Sequence, residues 1–241
     1  MCEACDAEIC YPLPQDIIIA CRLAISCPIY LHRLINMTPQ RTRVQPVIAY
    51  HLVWTNYGTW LPNDPRGSTS QTVVDPFLAQ LGPAHFGRKK KQPRPAEVRD
   101  FYKIAEPILK FPVIRWDASQ LIAVGTQFGI ALRKCNYTCY ACAVMPDHVH
   151  LIIRRHRDDA GEMIAKLQAT THDLVHEAVE LGLSERHPIW TLGGWKRFLF
   201  VPADIYPVID YIWKNPLKAK LPEQRWEFVL PYDDWPFHKK C

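Results

Sequence analysis

Residues 137–153, YTCYACAVMPDHVHLII, decide the predicted fold. They contain two short runs with the character of strands, 137–144 and 148–153. Residues 145–147 lie between them, and their proline and aspartate favour a tight turn. The pattern therefore predicts a β-hairpin of two antiparallel strands.

Segments on both sides of this hairpin add further strands and helices. Residues 47–55 are rich in β-branched and aromatic side chains and predict a strand, as does the run 195–201. The helical spacing of apolar residues predicts three helices: 118–133; 160–181, ended by Gly182; and 205–215, entered through 202–204 and stopped by Pro216. This order predicts an α+β fold, with helices on one or both faces of a single, largely antiparallel sheet.

The composition is that of a folded domain and says little about its ligand. The chain has 241 residues, 48% of them hydrophobic, with 21 prolines and 10 glycines, which excludes disordered, collagen-like and repeat proteins. At ~100 to 200 residues per domain, this length predicts one domain of catalytic size with extensions. The 29 Lys and Arg residues against 24 Asp and Glu residues permit an anionic partner such as nucleic acid without requiring one.

Shifts in composition divide the chain. We expect three parts: an atypical, poorly ordered N-terminal extension (1–43), a single domain (44–231) and a short C-terminal tail (232–241). Met37 and the polar residues 38–43 after it resemble an ordinary protein start, and the domain is expected to begin near Val44. A basic, proline-rich insertion occupies about 70–115, and residues 82–98 within it predict a solvated basic loop.

The N-terminal extension predicts neither a metal site nor a membrane segment. Cys2 and Cys5 form a CxxC without the regularly spaced second pair that a zinc site needs, and a disulfide framework is not expected in a chain of this length. The apolar stretch 17–31 is interrupted by Arg22 and Pro28, and it is shorter than the ~20 residues of a membrane-spanning helix. The acidic start lacks the features of a secretory signal, so we expect a cytoplasmic protein.

The pair His148 and His150 is the first candidate for chemistry. Alternate residues of a strand point to the same face, so the two imidazoles lie side by side and form half of a site for a divalent metal ion. Chance alone predicts roughly 0.4 such pairs in a chain with 10 histidines among 241 residues, so the pair by itself is weak evidence.

The predicted C-terminal helix carries a second group of candidates. Tyr211 and Asn215 are four residues apart and share a helix face. The amide oxygen of Asn215 can bind a hard metal ion, and the phenol of Tyr211 lies beside it. Lys214 is adjacent in sequence; it is either a surface charge or a group that binds a phosphate or the leaving oxygen.

Four segments, in matching order, resemble the single-tyrosine HUH transposases, and in particular the REP-associated tyrosine transposases: WTNYGTWLP at 54–62, MPDHVHL at 145–151, WKR at 195–197 and YIWKNPLKA at 211–219. The resemblance runs from about residue 49 to 231, and residues 1–36 and 70–115 look like additions to the family pattern. It implies a ferredoxin-like HUH palm, an antiparallel sheet with packed helices, with the HxH pair on a central strand and the tyrosine on a C-terminal helix.

The resemblance also implies an activity. In that family two histidines hold Mg²⁺ or Mn²⁺, a residue four positions after the tyrosine completes the site, and the tyrosine is the nucleophile. By position these roles fall to His148, His150, Asn215 and Tyr211. The implied function is DNA transposition of a mobile element: a metal-dependent transesterase cleaves and rejoins single-stranded DNA at REP-like hairpins or palindromes through a 5′-phosphotyrosine intermediate. Family members are monomers or homodimers.

Four cationic side chains are candidates for DNA binding: Lys214, Lys196, Arg197 and Arg66. Trp195 could stack on a base, and core packing is at least as good an interpretation for this residue.

Two other functions stay open. One is a domesticated protein that binds DNA hairpins without cutting them. The other is a metal-dependent nuclease that uses water, for which Asp147 and Asp210 are the candidate general bases. His172 and His176 also lie at i and i+4, but they lack a third ligand at a telling spacing and are predicted to be structural.

Overall fold

Four antiparallel strands form one sheet in the order β2-β3-β1-β4. The computed structural model describes residues 45–87 and 89–237, so the predicted extension with its Cys2 and Cys5 lies outside the described residues. In chain order the elements are β1 (Ala49–Thr55), α1 (Pro76–Ala79), α2 (Pro95–Ala105) with a 3-10 turn (Glu106–Ile108), α3 (Ala118–Lys134), β2 (Cys139–Val144), β3 (His148–Arg154), α4 (Ala160–Ala178), β4 (Trp195–Leu199) and α5 (Pro202–Lys218). No helix in these ranges is long and apolar enough to cross a membrane.

Side-chain alternation along the strands divides the sheet into two buried faces. Leu52 and Leu151 belong to one apolar cluster, together with residues of α3 and α4. Ala49 and Ile152 belong to a second cluster, together with residues of α5. Helices therefore cover both faces, and the predicted α+β fold is confirmed. β3, which carries the HxH pair, lies between β2 and β1 as a central strand.

α3 and α4 begin where the sequence predicts because an aspartate caps each of them. Asp117 and Asp159 each accept hydrogen bonds from two backbone N–H groups of the first turn. Gln120 and Glu162 in turn accept a hydrogen bond from the backbone N–H of the capping residue. A cap of this kind is worth about 0.5–2 kcal/mol, enough to set a helix start.

Two predicted helix ends are wrong. α4 is predicted to reach 181 but ends at Ala178, because Val179 is extended (φ −116°, ψ 120°) and buries its side chain in the core. α5 is predicted to stop at Pro216 but continues to Lys218. A proline lacks its own N–H, which costs one hydrogen bond, and here the N–H of Ala219 closes the final turn.

The insertion is folded and is not a continuous loop. α1 and α2 place Leu78 and Tyr102 against Leu61 in a small apolar cluster of their own. The solvated loop predicted over 82–98 extends only to 94. Pro95 starts α2, because proline at the first helical position has the φ angle of a helix and no N–H to leave unpaired.

The segment 226–229 closes over α3 at two glycines. A Cβ atom on Gly125 would overlap the ring of Trp226, and a Cβ atom on Gly129 would overlap the ring of Phe228. The two glycines are four residues apart, so they form a flat strip on one helix face that only glycine allows.

Candidate active site

The turn between β2 and β3 is held by the buried loop that follows β1. Asn56 donates its side-chain amide to the carbonyl of Pro146 at 2.9 Å. Thr59 donates its hydroxyl to the carbonyl of Asp147 at 2.9 Å. Both donors are almost completely buried, so these hydrogen bonds are shielded from water and hold the start of β3 in place.

His148 and His150 lie on the same face of β3, as their spacing predicts. Their Nε2 atoms are 3.0 Å apart. The Nδ1 atom of His148 lies 2.6 Å from Oδ1 of Asp147. A carboxylate in this position accepts a hydrogen bond from the Nδ1–H group of His148. The lone pair of His148 Nε2 then points toward His150.

His51 belongs to the same cluster, and sequence reasoning missed it. It lies on β1, and its Nε2 atom is 3.1 Å from Nδ1 of His150. The two rings are stacked, with centroids 5.3 Å apart. His51 thus contacts Nδ1 of His150 in the way that Asp147 contacts Nδ1 of His148. The Nε2 atoms of His148 and His150 are left facing one another.

The imidazoles of His51 and His150, the two most deeply buried histidines of the cluster, are neutral at neutral pH. Burial, and then the charge of Arg197, lowers the pKa of His51 to about 4. Burial, and then the charges of His148 and His51, lowers the pKa of His150 to about 2. Burial raises the pKa of Asp147, but the hydrogen bond and charge of His148, with the charges of Arg115 and Arg66, offset this effect, so the net pKa is lowered. The cluster therefore combines two neutral imidazoles, those of His51 and His150, with one carboxylate.

Tyr211 lies over this cluster, as predicted for a residue of the last helix. α5 covers the face of the sheet that carries the histidines, and the Tyr211 ring stands perpendicular to that of His150, with centroids 5.7 Å apart. The residue is 44% exposed, so its phenol is accessible from solvent. Nζ of Lys218 lies 5.3 Å from the centre of the phenol ring. A cation so close favours a phosphate bound beside the ring.

Lys214 is not brought to this position. Its Nζ atom donates to Asp210 at 2.7 Å, and both side chains are exposed. The lysine next to Tyr211 is instead Lys218, which is two helical turns further on and was not among the predicted residues. The Lys214 ion pair also occupies Asp210, and Asp147 is already bonded to His148, so neither candidate general base is free.

Asn215 lies one helical turn after Tyr211 and is half-buried. Its amide nitrogen is buried without a hydrogen-bond partner. A 180° rotation about the last side-chain bond would place the amide oxygen at that position. Asn215 does not line the cavity described below, so the structure brings Tyr211 and the two histidines together without it.

The histidine pair fits a divalent ion in spacing, and the lowered pKa of His150 keeps that ligand neutral. Neighbouring ligands of an octahedral ion at about 2.1 Å lie about 3.0 Å apart, which matches the Nε2 atoms. In the described part of the chain no three His, Cys, Asp or Glu side chains converge on a metal position, so two protein ligands need a further oxygen donor.

Nε2 of His176 lies 2.9 Å from the carbonyl of His187, which gives that histidine a structural contact as predicted.

A cavity of about 970 Å³ opens in front of the site. The sheet and α5 contribute one wall, and the insertion contributes the other. Residues that line it include His148, His150, Tyr211, Trp195, Arg197, Arg66 and Phe86. Its volume is at the upper end of the usual ~300–1,000 Å³ of ligand sites. Trp195 and Phe86 are 45% and 65% exposed, which leaves aromatic surface free for a ligand.

Arg66 enters the cavity but is held within the protein. Its guanidinium donates to the fully buried carboxylate of Asp64 and lies 3.8 Å from the centre of the Trp60 ring. Tyr102 of α2 donates to the same carboxylate at 2.6 Å. The charge of Arg66 is therefore largely neutralised, and the insertion fixes its orientation.

Arg197 and Lys196 lie on opposite faces of β4. Arg197 pairs in register with His51 and lines the cavity with the histidines. Lys196 pairs in register with Leu52, whose side chain belongs to the other face, and lies away from Tyr211. The structure thus brings Arg197 and Arg66 to the candidate site but neither Lys196 nor Lys214.

Neither a protein-family model nor a curated protein matches the chain. Solved structures that are similar to it include two of transposases. One is a REP-associated tyrosine transposase bound to a REP hairpin, with 14% sequence identity, a TM-score of 0.40, and coverage of 77% of this chain and 78% of the other. The second is a proposed transposase from Deinococcus radiodurans R1, with 15% identity, a TM-score of 0.31, and coverage of 77% of this chain and 98% of the other.

Proposed function

We propose that the chain is a metal-dependent transposase that cleaves and rejoins single-stranded DNA at REP-like hairpin sequences through a 5′-phosphotyrosine intermediate. The observation that supports this function is the position of Tyr211 over His150, in the same cavity as the facing Nε2 atoms of His148 and His150. The proposed nucleophile and the two proposed metal ligands, which come from distant parts of the sequence, thus line one accessible cavity.

The proposed reaction is a transesterification at phosphorus. The phenol of Tyr211 loses its proton to solvent, its oxygen forms a bond to phosphorus, and the bond from phosphorus to the 3′ oxygen breaks. The leaving oxygen takes up a proton, so the products are a 5′-phosphotyrosine and a free 3′-hydroxyl. A Mg²⁺ or Mn²⁺ ion held by His148 and His150 would neutralise charge on the phosphate oxygens. Asn215 is the proposed third ligand, although its side chain does not line the cavity. Because the phosphoryl group stays on the enzyme, rejoining needs no other energy source.

Several side chains in or beside the cavity have separate tasks in this proposal. Lys218 stabilises the phenolate and the attacked phosphate, and Arg197 binds a neighbouring phosphate. Trp195 and Phe86 offer exposed aromatic rings on which unpaired bases can stack, which suits single-stranded DNA better than a duplex. The exposed run Lys89–Lys91 precedes Gln92 at the cavity and adds non-specific attraction for DNA.

The proposal is tested by incubating the purified protein with labelled single-stranded DNA that carries a REP-like hairpin, with Mn²⁺ or with a chelator, followed by denaturing electrophoresis. We expect a labelled band at the mass of a protein–DNA adduct that requires the metal. Retention of the hairpin without an adduct would instead identify a non-cleaving DNA-binding protein. Cleavage without any adduct would identify water as the nucleophile.

His51 provides a second prediction, because its role is to orient His150. Replacing it by phenylalanine keeps an aromatic ring but removes the contact with Nδ1 of His150. Loss of such an outer contact typically lowers metal affinity by about 10- to 100-fold. We expect that loss for Mn²⁺ binding to His51→Phe, measured by electron paramagnetic resonance of free Mn²⁺.

His51→Gln is the matched variant, since its amide can still contact Nδ1 of His150 and should recover much of the affinity. Equal Mn²⁺ affinity of wild type and His51→Phe would show that this contact does not position the ligand. Thermal melting of both variants separates this effect from a loss of folding.

A further inference from the structure

A second cavity, of about 500 Å³, lies on the other side of β4. Apolar residues form most of its lining, among them Ile164 and Ala169 of α4 and the nearly buried Trp190. Two cationic side chains, Lys196 and Arg186, also line it. The site around Tyr211 uses none of these five residues.

The two cavities share one boundary. Residues 192–194, Leu-Gly-Gly, line both of them. Leu192 is 93% exposed, so its side chain is accessible to a ligand that passes over it. Beyond this boundary β4 sends alternate side chains to either side: Trp195 and Arg197 line the first cavity, and Lys196 lines the second. A single extended ligand can therefore contact both cavities by passing over Leu192.

The cations of the second cavity are available for a ligand. Within residues 45–87 and 89–237, neither Arg186 nor Lys196 forms an ion pair. Asp159 is an acidic group close enough to Lys196 to be affected by its charge. One carboxylate oxygen of Asp159 already accepts the backbone N–H groups of Gly161 and Glu162, where it caps α4. Both cations are exposed and can move toward an anion.

We propose that this second cavity binds a nucleotide of the single-stranded flank of the same DNA, with the base against the apolar lining and the phosphate on Arg186 and Lys196. The inference rests on the proposed function, because the bound flank belongs to the DNA strand that is cleaved at Tyr211. The combination of an apolar lining and unpaired cations matches the two parts of a nucleotide. The boundary at Leu192, which the two cavities share, gives the DNA strand a path from the scissile phosphate to the second cavity.

The test compares two hairpin substrates that share the cleavage position and differ only in the length of the single-stranded flank. Flanks of about 4 and about 16 nucleotides cover the range of site sizes known for single-strand binding. Binding is measured by fluorescence anisotropy, and adduct formation by denaturing electrophoresis. We expect the double variant Arg186→Ala/Lys196→Ala to lose about tenfold in affinity for the long flank and little for the short one, with a shallower salt dependence for the long flank.

Two further variants make the result specific. Arg133→Ala/Lys134→Ala removes the same two residue types from the exposed end of α3, outside both cavities, and should change neither affinity. Ala169→Trp fills the second cavity without changing charge and should reproduce the loss for the long flank. Equal losses for both flanks, or an equal loss in the α3 control, would overturn the inference. Adduct formation on the short flank reports on the proposed function alone, so the two ideas can fail separately.

Discussion

Replacing Tyr211 by phenylalanine is expected to abolish the covalent protein–DNA adduct and to reduce strand cleavage by at least about 10³-fold. The change removes one oxygen atom, and phenylalanine keeps the ring that stands over His150. The phenol makes no hydrogen bond to another described residue, so its loss leaves no buried group unpaired and stability should change little. Denaturing electrophoresis with labelled hairpin DNA measures the adduct and the cut strand together.

Tyr206 is the matched control for this prediction. It lies on the same helix and is similarly exposed, at 50% against 44% for Tyr211. Its hydroxyl donates to Asp234 at 2.7 Å, and the residue does not line the cavity. Tyr206→Phe should therefore keep full adduct formation. Cleavage by Tyr211→Phe at the rate of the wild type would mean that another group, most simply water, attacks the phosphate.

The second large effect is expected for His150→Ala. This substitution removes one of the two facing Nε2 atoms and the partner of both His51 and His148. We expect metal-dependent cleavage to fall by at least about 10²-fold, because the proposed metal ion would lose one of its two histidine ligands. Binding of hairpin DNA should persist, since Arg197 and the exposed aromatic side chains are unchanged. Cleavage rates and gel retention, measured at several Mn²⁺ concentrations, distinguish the two effects.

The control for His150→Ala is a histidine outside the site. His176 is half-buried on α4, its Nε2 atom lies 2.9 Å from the carbonyl of His187, and it lines neither cavity. His176→Ala should leave the metal dependence of cleavage unchanged. His150 is only 6% exposed, so a melting curve must accompany the rate. A folded His150→Ala variant with unchanged Mn²⁺-dependent cleavage would contradict the assignment of this histidine as a metal ligand.

Local periodicity was sufficient to predict the elements that carry the chemistry. The alternation of a strand predicts that His148 and His150 share a face, and the spacing of a helix predicts that Tyr211 lies on an element separate from the hairpin. Both predictions are confirmed by β3 and α5. The helix ends at 181 and 216 were predicted wrongly, because burial of Val179 and continued hydrogen bonding past Pro216 depend on packing against the rest of the chain.

Contacts between elements could not be predicted in this way. His51 meets His150 because β1 pairs with β3 in one particular register, and a shift by one residue would turn His51 to the opposite face. Lys218, and not Lys214, lies by Tyr211, because Asp210 binds Lys214 at the helix surface. The sequence offers Arg66 as a candidate for DNA binding, and only the fold shows that Asp64 and Tyr102 hold its side chain.

The sequence by itself determined the fold class, the hairpin with its paired histidines and the helix with its tyrosine, because each depends on residue spacing within one element. Tertiary structure alone decided which side chains complete the site. Sheet register brought His51 to His150, strand alternation sent Lys196 into a second cavity, and packing of the insertion built the wall opposite Tyr211. The physical reason is that these contacts join residues far apart in the chain, whose meeting depends on pairing and burial across the whole domain.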